Sequence, residues 1–169
     1  QISIKVSEGQ KYFVERVNII GNSITEDNVI RGELELDEGD PYSVLLLDKS
    51  VNNLKARNIF ETVKEFSREG SAPGLKVINI EVEEKATGEI FAGAGVGTSG
   101  GTIGGGLSEN NFLGQGIKLD ANLTISQESI RGRFSVLNPN YKYSGNELRA
   151  TVESTRTSKM QTFGYDGSK

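Results

Sequence analysis

The chain has 169 residues, with 19 Lys+Arg against 23 Asp+Glu, no Cys, no His, no Trp and 21 Gly. Without Cys or His there is no thiolate nucleophile, no disulfide framework, no zinc site of the usual ligands and no histidine general base. A net charge of -4 argues against broad nucleic-acid binding, which needs a basic surface to neutralise phosphates, and no apolar run reaches the roughly 20 residues of a membrane helix.

Composition changes along the chain. Residues 1–87 hold 11 Lys+Arg, 16 Asp+Glu and 6 Gly, whereas residues 88–169 hold 8, 7 and 15. A domain boundary is expected at Thr87-Gly88. The opening segment Ile2-Ser3-Ile4-Lys5-Val6 alternates, lacks a signal-peptide pattern and reads as the last strand of a preceding unit, residues 1–9, in a longer protein.

In residues 10–87, Tyr12 to Ile20 has strand character and Gly21-Asn22 ends it with a turn pair. A helix is expected next, with Thr25 as its N-cap, Glu26 and Asp27 where the helix dipole favours negative charge, and Val29, Ile30 and Leu34 on its buried face. Glu38-Gly39-Asp40-Pro41 breaks it. Ser43 can cap a second helix whose Leu47, Val51 and Leu54 share one face, and Asn58 suits its end. Ile59 to Phe66 and Leu75 to Val82 return to strand character around the loop Ser71-Ala72-Pro73-Gly74. The order β-α-α-β-β gives an α+β unit with two helices on one face of a three-stranded sheet.

Residues 88–169 are written in alternate positions. Ile117, Leu119, Ala121, Leu123 and Ile125 face one way, and Lys118, Asp120, Asn122, Thr124 and Ser126 the other. The split recurs in Ile130 to Val136 and in Leu148 to Val152, and earlier Ala92, Ala94 and Val96 oppose Gly93, Gly95 and Gly97. Nine residues at about 3.3 Å each, tilted by roughly 40°, cover about 23 Å, close to the apolar band of an outer-membrane barrel. Alternation alone fits equally a soluble antiparallel sheet with one wet face. Phe112 and Tyr141, beside the turns Asn110–Gly116 and Asn138–Tyr141, stand where a barrel places its aromatic girdle and favour the membrane. Five strands are expected, at about 89–98, 102–110, 116–126, 130–137 and 146–156, with a possible sixth from Gln161.

Several motifs have bland readings. Gly95-Val96-Gly97-Thr98-Ser99-Gly100 matches G-x-G-x-x-G, but Gly101-Thr102-Ile103-Gly104 after it is a poor helix start, so a sparsely packed strand pair is expected rather than a nucleotide site. Asn122-Leu123-Thr124 is a mid-strand sequon that chance explains. Asp37, Glu38 and Asp40 lack the ligand spacing of a calcium loop and read as solvated loop charges, with partner docking as the other reading. Glu83-Glu84 reads as solvent-facing rather than catalytic.

Val17-Asn18-Ile19-Ile20-Gly21-Asn22, Val29-Ile30-Arg31-Gly32-Glu33, Glu38-Gly39-Asp40-Pro41-Tyr42 and Asn58-Ile59-Phe60-Glu61-Thr62-Val63 resemble the membrane-proximal POTRA domain of the BamA family of outer-membrane protein assembly factors. Ala86-Thr87-Gly88, Gly93 to Thr98, Asn110 to Gly116 and Asn138-Pro139 resemble that family's junction and first barrel strands; Gly32 stands where the family commonly has a second Arg. The resemblance implies a POTRA domain followed by the first five or six antiparallel strands of an incomplete transmembrane β-barrel. It implies a non-enzymatic insertase in the bacterial outer membrane, with the POTRA domain in the periplasm and with no cofactor, catalytic residue or metal. Partners would be unfolded outer-membrane protein clients, periplasmic chaperones, accessory assembly lipoproteins and outer-membrane lipid, and no nucleic acid. The first barrel strand, with Phe91, Ala92, Gly93, Ala94, Gly95, Val96 and Gly97, would be a lateral gate that pairs with the client's terminal strand, POTRA sheet edges would hold extended client segments, and Arg31 and Glu38 would dock an accessory lipoprotein. Alternatives are a two-partner secretion transporter, a translocation-and-assembly-module barrel, or a soluble β-rich periplasmic scaffold.

Overall fold

The computed structural model describes residues 10–97 and 100–158; the strand expected in residues 1–9, the sixth strand from Gln161 and the end of the first barrel strand at Thr98 lie outside them. The chain divides into two units: residues up to Thr87 together with Leu113–Gly116, and the remainder from Gly88 onward.

In the first unit the elements are β1 (Phe13–Ile20), α1 (Asp27–Arg31), α2 (Val44–Ala56), β2 (Phe60–Glu69) and β3 (Leu75–Glu84). The sheet order is β1-β3-β2, with β1 parallel and β2 antiparallel to β3. Two β-branched runs, Val14-Val17-Ile19 and Ile78-Ile80-Val82, turn the same way and pack with Ile30, Leu47, Leu54 and Ile59 in one core. Ser43 caps α2 by accepting the Leu46 N–H, and Leu47, Ser50, Val51 and Leu54 form its buried stripe. The Ser50 hydroxyl is fully buried because it donates to Leu46 O and accepts the Glu35 N–H, each at 2.8 Å. Asn58 leaves the helix with a positive φ of 58°.

The first helix differs from expectation. It spans five residues, its N-cap is Glu26 rather than Thr25, and no side-chain hydrogen bond caps it. Leu34 falls beyond the helix, in a turn that still packs on the core. The physical reason lies across the sheet: the Glu84 carboxylate accepts the N–H groups of Ser23, Ile24 and Thr25 and the Ser23 hydroxyl, at 2.6 to 3.2 Å. This holds residues 23–25 out of helical conformation. Those bonds hold its carboxyl down at about 2 against the opposing effect of partial burial. Glu84 is therefore a structural staple, a role that its place in Glu83-Glu84 did not reveal.

The second unit is one antiparallel sheet of order β4-β5-β6-β7-β8: β4 (Gly88–Gly97), β5 (Gly100–Phe112), β6 (Ile117–Ser126), β7 (Ser129–Asn138) and β8 (Leu148–Thr157). Among the described residues it does not close. The register turns the alternation into two faces, because directly opposed residues of antiparallel strands project to the same side. Ala92 opposes Gly105, which opposes Leu123, which opposes Gly132; Ala94, Ile103, Ile125 and Ile130 form the next row, and Leu107, Ala121, Phe134 and Val152 another, so this face is apolar across β4 to β7, while on β8 the first two rows end at Ser154 and Arg156. The other face carries Thr102, Ser108, Asp120, Asn122, Thr124, Arg131, Arg133, Ser135, Thr151 and Glu153, with Glu153 bound to Arg133 at 2.8 Å. The expected antiparallel meander is present, and Gly95, Gly97 and Gly100 lie on the paired strands β4 and β5, so the G-x-G-x-x-G match opens no helix.

Candidate functional site: the strand edges

Phe91, Ala92, Gly93, Ala94, Gly95, Val96 and Gly97 all lie on β4, whose partner is β5; among the described residues no strand pairs with its other edge. All ten of its residues are exposed, Val96 by 94% and Ile90 by 90%. Such a strand presents a row of main-chain donors and acceptors ready to pair with another chain. Its glycines are not demanded by crowding: a Cβ at Gly93, Gly95 or Gly97 would meet nothing within 4 Å. They leave one face of the strand bare and lower its intrinsic preference for the extended state. Across the pair, Gly106 differs: a Cβ there would run into the Phe91 ring and the Ala121 carbonyl, so Phe91 covers its glycine neighbour.

The first unit's sheet has two edges of opposite character. On β1 the main chain is occupied: Val14 N–H donates to Asp40 O at 2.8 Å, Gly39 N–H to Val14 O at 2.7 Å, and Tyr42 N–H to Tyr12 O at 2.8 Å. Arg31 and Glu38, expected as docking residues, meet there. The Glu38 carboxylate accepts the Val17 N–H at 3.1 Å, and the Arg31 guanidinium donates to Val17 O at 3.0 Å while pairing with Asp27. The acidic turn at Asp37–Asp40 thus seals a sheet edge. The β2 edge carries no such cover among the described residues, and beside it Asp48, Val51, Asn52 and Lys55 of α2 form a groove of about 600 Å³ with Val63 to Phe66.

A third arrangement escaped the sequence reading. Leu113–Gly116, between β5 and β6, belongs to the first unit. Gly114 O accepts the Glu26 N–H at 2.9 Å, and Gly116 O accepts from the buried Arg57 guanidinium at 2.8 Å. Arg57 also pairs with Glu33 at 3.3 Å. Its pKa is lowered by burial and raised by Glu33, burial being the larger influence. Among the described residues no cluster of acidic side chains could hold a metal, and no helix is long and apolar enough to cross a membrane, which says nothing of a β-barrel.

Residues 12–85 match the family model POTRA, described as surface antigen variable number repeat. Over 147 residues the chain is 26% identical to outer membrane protein assembly factor BamA of Neisseria meningitidis, covering 86% of this chain and 18% of that protein. Over 133 residues it is 34% identical to a putative outer membrane protein assembly factor of Treponema pallidum, covering 75% and 16% respectively. The chain therefore spans less than a fifth of either relative. BamA from Haemophilus ducreyi lacking POTRA domains 1-3 superposes with a TM-score of 0.78 at 25% identity, over 88% of this chain and 28% of that one. CdiB from Escherichia coli shares the fold alone, with a TM-score of 0.61 at 13% identity over 86% of this chain and 28% of that one. With a POTRA domain joined to a two-faced antiparallel sheet in the same chain order, this chain belongs to the BamA family.

Proposed function

We propose that the chain is part of an outer-membrane β-barrel assembly factor, with the first unit in the periplasm and β4 to β8 crossing the outer membrane as the start of a barrel. The observation that carries this reading is an antiparallel sheet whose two faces differ in polarity, in which the first strand, β4, is exposed and, among the described residues, pairs only with β5. Lipid surrounds the apolar face. The edge of β4 takes the terminal strand of an unfolded outer-membrane protein by main-chain pairing, so that folding is templated rather than chemically driven. The work is done by N–H and C=O groups, without a catalytic side chain, a cofactor or nucleic acid. Periplasmic chaperones deliver the clients, β2 holds extended segments of them, and accessory lipoproteins dock at the Arg31–Glu38 corner.

The names and sequence likeness of the assembly-factor relatives support this reading over export of one dedicated substrate. The fold shared with CdiB supports a two-partner secretion transporter as the second reading. Disulfide scanning in the full-length parent separates them. Cys is placed at Val96, and single Cys residues are walked along the barrel's last strand and along the terminal strand of a stalled client. Register-specific crosslinks to both are expected for an assembly factor. Crosslinks to the last strand alone, whatever client is stalled, would overturn the reading in favour of a closed secretion pore.

A further inference from the structure

Leu113–Gly116 alternates in burial: Gly114 and Gly116 are buried, while Leu113 and Gln115 are exposed. Its backbone is left-handed at three positions, with φ of 55° at Leu113, 74° at Gly114 and 63° at Gly116. Glycine reaches that region at little cost, whereas other residues are strained there. Space is limiting as well. A Cβ at Gly114 would run into the Ile24 carbonyl oxygen, and one at Gly116 would run into the Arg57 guanidinium and the Val29 side chain. Two main-chain acceptors of the turn meet two donors of the unit, Glu26 N–H and the Arg57 guanidinium.

Arg57 is only 9% exposed. A cation so placed needs its acceptors fixed, and the planar guanidinium can serve two at once with different nitrogens, one facing Glu33 and the other Gly116 O. The contacts read carbonyl positions and the absence of Cβ atoms, while the exposed side chains Leu113 and Gln115 are not what the pocket recognises.

We propose that Ile24–Glu26, Val29, Glu33 and Arg57 form a seat whose ligand is the glycine-turn main chain of residues 113–116, with Arg57 as the latch and Glu33 as the residue that positions it. The first unit is then a discontinuous domain: residues 10–87 supply the seat and the β5–β6 turn completes it. Loss of the latch frees the turn without unfolding the sheet that carries the seat. This inference does not depend on the assembly-factor reading, since it concerns a contact rather than an activity.

The Glu26 amide reports occupancy, because its hydrogen is bonded to Gly114 O when the turn is seated. The measurement is residue-resolved hydrogen exchange of the full-length parent in lipid bilayers. Arg57→Met is expected to speed exchange at Glu26 by about tenfold or more, as loss of one charge-assisted hydrogen bond predicts, with Ile78 and Ile80 unchanged. Gly114→Ala leaves the seat intact and removes its occupant, so it is expected to give the same selective loss. Should Arg57→Met also expose Ile78 and Ile80, Gly114→Ala alone decides. Unchanged protection at Glu26 in Gly114→Ala, or loss spread evenly over the whole unit, overturns the proposal.

Discussion

Arg31 and Glu38 grip the two main-chain groups of one residue: the Glu38 carboxylate takes the Val17 N–H and the Arg31 guanidinium takes the Val17 carbonyl. Seven residues apart in sequence, they close the outer edge of β1 at the point where the turn Gly39–Tyr42 stops covering it. Substitutions at either residue therefore disturb the β1 edge as well as any docking proposed for this corner.

Glu38→Ala is accordingly expected to raise exchange at the Val17 amide and to weaken the first unit by about 1 kcal/mol, the usual worth of one such bond. Glu38→Gln, which keeps an acceptor in place, is expected to preserve Val17 protection while removing the charge. A docking defect that follows Glu38→Gln tracks charge; one that appears only with Glu38→Ala tracks the edge. Binding of purified accessory lipoprotein beside exchange at Val17 distinguishes the two.

Glu84 predicts an acid dependence. Its folded pKa of about 2 lies below the ordinary glutamate value of 4.5, so its stabilisation is full above pH 4.5 and is lost as pH falls from there toward about 2. Glu84→Gln is expected to lower stability at pH 7 and to flatten the pH dependence across that window. Exchange of the Ser23, Ile24 and Thr25 amides at stepped pH reads the effect, and identical profiles for both proteins would contradict it.

The core tolerates little. Ile30, Leu54 and Ile78 are each at most 1% exposed and belong to one cluster, so Leu54→Ala or Ile78→Ala is expected to cost about 2–5 kcal/mol through lost burial and the cavity left behind. Denaturant titration of the first unit's amides, read by exchange, gives the magnitude.

Glycines in the second unit separate into two kinds. Gly95→Val on β4 meets open space and is expected to strengthen the strand, whereas Gly106→Val on β5 drives into Phe91 and the Ala121 carbonyl and is expected to disrupt the hairpin. If client templating needs a weakly held β4, Gly95→Val slows assembly of a reporter barrel protein without lowering the parent's abundance. Faster or unchanged assembly would count against that requirement.

Much of the fold was legible because it rests on short periods. Alternation from Ile117 to Ser126 predicts a strand with one apolar face whatever its neighbours are, and the register then aligns that face with Ile103, Leu107, Ile130 and Phe134. Ser43, Leu47, Val51 and Leu54 likewise announce α2 by cap and spacing. What only the tertiary structure decided is carried by single side chains meeting main chain far away in sequence. Glu84 reaches residues 23–25, and Arg57 reaches Gly116, each about 60 positions distant. The shortened α1, the sealed edge of β1 and the seating of Leu113–Gly116 all follow from such contacts. They leave no periodic trace, because one carboxylate or guanidinium can satisfy several main-chain groups wherever folding brings them, and nothing in its own neighbourhood along the chain records which ones.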